Sequence, residues 1–191
     1  LSGHKMLGPP GAGALYGKRE ALERLVPPAL GGGSVTRVGL DLSYDLRDLP
    51  WRLEAGTPDV AAAIGLGAAI EYLDEIGMEE VEAREASLLA ALDEHVATLP
   101  GLMAHVPAAD VARAPILALS PDMGSMEAEW LSRALSDTFG IMTRAGHHCA
   151  HPLHEALGLP ATLRVSLSFY NSEDEVIRLR DALRSLLGRA R

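Results

Sequence analysis

Apolar positions along the chain fall into two rhythms, one before Pro100 and one after it. In Glu79 to Leu99 the apolar residues Val81, Ala86, Leu88, Leu89, Leu92 and Val96 recur near helical spacing, which predicts an amphipathic helix. Just before it, Val60 to Ile76 is rich in alanine and leucine with Gly65 and Gly67 embedded, which predicts a largely buried helix whose glycines permit close packing. Gly77 stops that helix, and Thr57 with Pro58 supplies an N-cap and a first helical residue at its start. Beyond residue 100 the rhythm shortens. It predicts strands at Leu102 to Val106, Ile116 to Leu119, Ile141 to Thr143 and Thr162 to Phe169, with helices at Met126 to Phe139, Pro152 to Leu157 and Glu173 to Leu187. Ser172 and Glu175 form the capping box of the last helix.

The first third is less regular. Gly8-Pro9-Pro10-Gly11-Ala12-Gly13 reads as a loop leading into a short buried strand at Ala14 to Tyr16. Lys18 to Leu25 gives one or two helical turns, ended by Pro27-Pro28. Gly31-Gly32-Gly33-Ser34 lacks the spacing of a phosphate loop and reads as a mobile turn, and Val35 to Asp48 as a hairpin or flap. Alternating strands and helices make this an α/β chain, with Pro100 as a boundary.

Composition narrows the function classes. The 191 residues are 48% hydrophobic and 23% charged, the balance of a globular protein with ample chain for a core. A net charge of −9 with scattered basic residues argues against nucleic acid as a partner. No apolar run approaches the ~20 residues of a membrane span, and the first residues given lack the charged-then-apolar pattern of a signal peptide. The first residue is Leu1, so the expectation is that something upstream has been removed or omitted.

One cysteine, Cys149, stands in Arg144-Ala145-Gly146-His147-His148-Cys149-Ala150-His151-Pro152. A solitary thiol makes no internal disulfide, which fits a reducing cytoplasm and leaves packing, metal binding or chemistry as its use. Thiol chemistry needs the thiolate, and an unperturbed pKa of about 8.5 supplies only a few per cent of it at neutral pH, a fraction that neighbouring imidazoles and a guanidinium can raise. The alternative of an inert core cysteine suits this polar, glycine-containing loop poorly. His147, His148, Cys149, His151 and His154 offer zinc-compatible donors, but the adjacent His147 and His148 tend to point apart and no second cysteine pair completes a site.

Four segments together resemble the group II cysteine desulfurases, in the class V branch of the fold-type I pyridoxal-phosphate enzymes, a group that includes the selenocysteine lyases. They are Ser2-Gly3-His4-Lys5, Arg52-Leu53-Glu54-Ala55-Gly56-Thr57-Pro58, the Arg144 to Ala150 segment, and Leu163-Arg164-Val165-Ser166-Leu167-Ser168-Phe169-Tyr170-Asn171. The departures are Ala145, where a threonine is usual, Val165 beside Arg164, and the absence of the large-domain segment that precedes the lysine in the family.

The resemblance implies pyridoxal 5'-phosphate as cofactor and no metal. Lys5 corresponds to the lysine that condenses with the cofactor aldehyde and then moves the substrate Cα proton, Ser2 and His4 to phosphate ligands, and Thr57 to the threonine that reaches the phosphate of the neighbouring subunit in a homodimer. Arg164 corresponds to the arginine that grips the substrate carboxylate, Arg144 to a second active-site arginine, and Cys149 to the nucleophile that takes sulfur from L-cysteine. It further implies residues 1–55 as the end of the cofactor-binding large domain, 56–99 as connecting helices and 100–191 as the small α/β domain. The missing amino-terminal half would be supplied in cis or in trans, and the sulfur passed to an acceptor protein for iron-sulfur cluster assembly. Selenocysteine lyase, a non-catalytic partner-binding fragment and a zinc-binding module are the other readings.

Overall fold

The computed structural model describes residues 1–108, 111–121 and 128–189. The chain divides into two compact units, Leu1–Gly77 and Met78–Arg191. The division falls between the two long helices that the sequence reading joins in one connecting segment. The second helix belongs to the later unit because its apolar stripe packs there.

The first unit begins with a 3-10 turn at Gly3–Lys5. Gly3 is its buried residue: its N–H donates to the Ala12 carbonyl at 2.8 Å, and a Cβ here would stand 2.9 Å from that oxygen. Only glycine lets the turn lie so close to its neighbours, which include Leu66. The expected buried strand at Ala14 to Tyr16 does not form. Its surroundings provide only an isolated bridge between Ser2 and Gly13, and Leu15 and Tyr16 are 72% and 94% exposed. Helix α1 (Arg19–Glu23) follows, then strands β1 (Val35–Val38) and β2 (Tyr44–Leu46), which pair as an antiparallel hairpin. The glycine run before β1 is a tied turn rather than a mobile one: the buried Ser34 hydroxyl donates to the Gly31 carbonyl and accepts from the Gly31 N–H.

Helix α2 spans Val60–Ile76 as the spacing predicts, and Gly77 ends it at φ 88°. Its start differs. Asp59, not Thr57, is the N-cap, its carboxylate accepting from the Ala62 N–H at 3.0 Å. Either residue type can cap; Pro58 disfavours helical backbone at Thr57, and the helix begins beyond it. The helix is also less buried than its composition suggests: Ala62, Ala69 and Leu73 face inward, whereas Ile64 is 69% exposed.

The second unit opens with α3 (Met78–His95) and continues through β3 (Leu102–His105), β4 (Ile116–Pro121), α4 (Ala128–Phe139), β5 (Arg144–Gly146), α5 (His151–Ala156), β6 (Thr162–Ser166) and α6 (Glu173–Arg189). The expected start of α4 at Met126 lies outside the described residues. Among the described residues the sheet has four strands in the order β3-β4-β6-β5, all antiparallel. β5 lies three residues later than expected, because the end of α4 takes up the preceding segment: Ile141 N–H still bonds back to the Leu135 carbonyl around Gly140 at φ 64°. α6 starts with the expected capping box, in which Ser172 N–H donates to Glu175 Oε2 at 2.9 Å and Glu175 N–H to Ser172 Oγ at 3.3 Å.

Strand alternation gives this sheet two unlike faces. Leu117, Leu119, Leu163 and Val165 point to one side and join a core with Leu92 of α3, Leu131 and Leu135 of α4, and Val176 and Leu183 of α6. The intervening residues point to the other side. The register sets His105 opposite Ala118, Ala118 opposite Arg164, and Arg164 opposite Arg144.

Candidate functional site

The candidate residues lie in both units, each group in its own surroundings. In the first unit Ser2, His4 and Lys5 occupy one turn and all three are exposed. The Ser2 hydroxyl makes no capping bond, and no ion pair holds Lys5 among the described residues. An amine, an imidazole and a hydroxyl facing outward suit a small anion that also carries an aldehyde. Thr57 is exposed too, in the segment before α2, with its N-capping duty taken by Asp59. In the same motif Arg52 Nε is buried without a partner among the described residues.

In the second unit the polar sheet face brings Arg144 and Arg164 side by side on β5 and β6. Neither is ion-paired among the described residues, and Arg164 Nε is buried without a hydrogen-bond partner. Two arginines opposite each other in register, one with an unsatisfied donor between apolar neighbours, have the chemistry to receive an anion, for which a carboxylate is the natural bidentate partner.

Cys149 is exposed in the turn that follows β5. Gly146 leaves the strand at φ 121°, and both His148 (φ 53°) and Cys149 (φ 61°) hold left-handed backbone, uncommon for residues with side chains. The histidines around the thiol are engaged with one another and with backbone. His147 stacks on His151 with ring centroids 4.5 Å apart, and His154 Nδ1–H donates to the Pro160 carbonyl at 2.8 Å. His148 Nε2–H donates to the Thr162 carbonyl at 3.1 Å. Among the described residues no group of three or more His, Cys, Asp or Glu is placed to hold a metal ion.

Sequence reasoning missed three members of this face. Thr162, only 1% exposed, receives His148; His105 Nε2 lies 2.7 Å from Ser120 Oγ on the neighbouring strand. Burial, then the nearby His154, holds the His105 pKa below its ordinary value. Burial, then Arg164, does the same for His148. Alternation along β3, β4 and β6 was the available signal, but a polar residue inside a strand acquires a site only once the register is known.

Comparison with known proteins bears on the family and the fold. A cysteine desulfurase of Haloferax volcanii is 41% identical over 183 residues, covering 96% of this chain and 42% of that protein. The solved structure of the Escherichia coli cysteine desulfurase CsdA superposes with a TM-score of 0.87 at 36% identity, covering 98% of this chain and 45% of that one. The apo cysteine desulfurase of Thermococcus onnurineus gives a TM-score of 0.84 at 34% identity, over 98% and 46%. The chain thus spans less than half the length of these relatives. Residues 1–179 match the family described as aminotransferase class V. With strands and helices alternating in an α/β fold, an exposed cysteine in the turn after β5, and that match over residues 1–179, the chain belongs to the class V aminotransferases.

Proposed function

We propose that this chain provides the lysine and cysteine of a pyridoxal-phosphate-dependent cysteine desulfurase, completed by a further segment in cis or in trans. The observation that carries the reading is the Arg144–Arg164 couple, unpaired among the described residues, on strands to which the Cys149 loop is tied through the bond from His148 to Thr162. A carboxylate held there leaves the other end of a small amino acid free to meet the thiol.

Pyridoxal phosphate, when bound, supplies an electron sink for carbon chemistry beside the amino group of the substrate. Lys5 would hold its aldehyde carbon, with Ser2, His4 and the Thr57 of a neighbouring subunit around its phosphate; that last contact makes the working form a homodimer. The exposed and uncommitted side chains of the first three fit that task. Arg164 binds the substrate carboxylate through its free donor, with Arg144 beside it. Lys5 takes the Cα proton of L-cysteine. The Cys149 thiolate then attacks the substrate sulfur, the carbon–sulfur bond breaks as the new sulfur–sulfur bond forms, and protonation of the carbon fragment releases alanine. Cys149 is left one sulfur atom heavier, ready to pass it to an acceptor protein, with iron-sulfur cluster assembly in the cytoplasm as the destination. No helix among the described residues is long and apolar enough to cross a membrane.

Mass spectrometry after incubation with L-cysteine and pyridoxal phosphate, on the longest natural polypeptide carrying this chain, tests the reading. We expect one added sulfur on the peptide containing Cys149, none in Cys149→Ser, and alanine release lowered by roughly 10²–10⁴ in Lys5→Ala, the range for loss of a proton-transferring group. Sulfur gained on another residue, or retained by Cys149→Ser, would refute it.

A further inference from the structure

The turn that presents Cys149 needs something to hold it. His148 and Cys149 sit consecutively in the left-handed region, which L-residues occupy when their surroundings fix them there. One backbone bond closes the turn, from Ala150 N–H to the His147 carbonyl at 2.8 Å. The second tie is the His148 imidazole, whose Nε2 lies 3.1 Å from the Thr162 carbonyl oxygen and 3.0 Å from its Oγ1. A carbonyl oxygen can only accept, so Nε2 carries the hydrogen and the neutral ring keeps its lone pair on Nδ1. That nitrogen is buried and has no partner among the described residues. A second proton would find no acceptor at Nδ1 and would meet the repulsion of Arg164 and Arg144. The ring is therefore built to donate one hydrogen bond, not to ferry protons.

Thr162 is a firm anchor. It is buried, opens β6 opposite Gly146 of β5, and lies two residues before Arg164 on the same face. A bond from His148 to Thr162 thus links the thiol loop to the strand that carries the carboxylate-binding arginine.

We propose that His148 is a positioning residue, clamping the Cys149 turn to Thr162 and so fixing the thiol relative to Arg164. The inference rests on the desulfurase reading, with Cys149 as the sulfur-accepting group. The clamp acts on the sulfur-transfer step and not on capture of the amino acid, because Arg164 keeps its place on β6 when the imidazole is removed.

Two variants separate the clamp from general damage. Asparagine tolerates left-handed backbone but is too short to reach Thr162; glutamine places an amide N–H near the position of Nε2. In the complete cofactor-loaded enzyme, His148→Asn should lower kcat about tenfold, the size of one lost hydrogen bond, with KM for L-cysteine little changed, and His148→Gln should restore most of it. Hydrogen exchange at the Ala150 amide should quicken in His148→Asn and not in His148→Gln, while the Leu163 and Val165 amides of β6 stay protected and so report an intact fold. An unchanged kcat in His148→Asn, or a fall in kcat matched by an equal change in KM, overturns the clamp. So does a glutamine variant as impaired as the asparagine one. Should the unaltered enzyme release no alanine, the desulfurase reading fails, and Ala150 exchange alone then decides: an unaltered rate in His148→Asn removes the clamp as well.

Discussion

On one face of the four-stranded sheet Leu117, Leu119, Leu163 and Val165 are at most 4% exposed and lie against three helices. On the other, the sheet carries His105, Ser120, Thr162, Arg164 and Arg144, with donors and acceptors that are unpaired among the described residues. One backbone ladder serves both. The segment Leu163-Arg164-Val165 shows how: the two apolar residues hold the strand by burial, and the arginine between them, on the opposite face, has a donor left unpaired among the described residues. Burial of hydrocarbon is additive and tolerant of detail, whereas an unpaired guanidinium is costly and persists where an anion repays it.

The sharpest test of that division is a pair of neighbouring substitutions. Leu163→Ala should cost about 2–5 kcal/mol in urea unfolding, the usual result of emptying a fully buried leucine site. Arg164→Met should leave the urea midpoint unchanged or raise it, since replacing an unpaired charge by hydrocarbon relieves a penalty. A large loss of stability in the arginine variant would break the comparison. The next effect in size is on function: Arg164→Lys keeps the charge but loses the fork, and should raise KM for L-cysteine roughly 10- to 100-fold, the equivalent of ~1.5–3 kcal/mol for a charged hydrogen bond. Steady-state alanine release reads it directly.

The smallest effect is a pH dependence confined to the polar face. Burial first, and then a neighbouring positive group, holds His148 and His105 below the ordinary histidine value of 6.5. As pH falls below that value the unfolded chain binds protons that the fold resists, so stability is intact above it and is lost progressively towards the lower folded values. Glu175, held low chiefly by the Ser172 N–H, titrates beneath the carboxyl value of 4.5 and leaves the window from 6.5 down to 4.5 to the histidines. Urea midpoints across that window should decline, and the decline should flatten in a His105→Gln, His148→Gln double variant.

What could be read from the sequence divides along similar lines. The span of α2, its stop at Gly77 and the Ser172–Glu175 box are decided by residues within a few positions of one another, so spacing alone exposes them. The thiol loop and Arg164 were visible through their resemblance to a family. The position of β5 was not, because strand limits depend on a partner distant in sequence, and here β6 takes Arg144 to Gly146 while Gly140 and Ile141 finish a helix. The cap of α2 was misread because Thr57 and Asp59 offer the same chemistry two residues apart, and only the backbone around Pro58 chooses between them. Apolar composition likewise overstated the burial of Ile64, since a hydrophobic residue shows a preference for cover and not the presence of it.

Gly146 carries a last consequence. Its φ of 121° belongs to glycine, yet nothing among the described residues stands within 4 Å of where a Cβ would project. The obstacle to an ordinary alanine is handedness rather than room. A mirror-image alanine, introduced by chemical ligation, would suit both the torsion and the open space. It would also deprive the unfolded chain of freedom that glycine allows, holding the entrance to the thiol turn more firmly than any of the twenty encoded residues can.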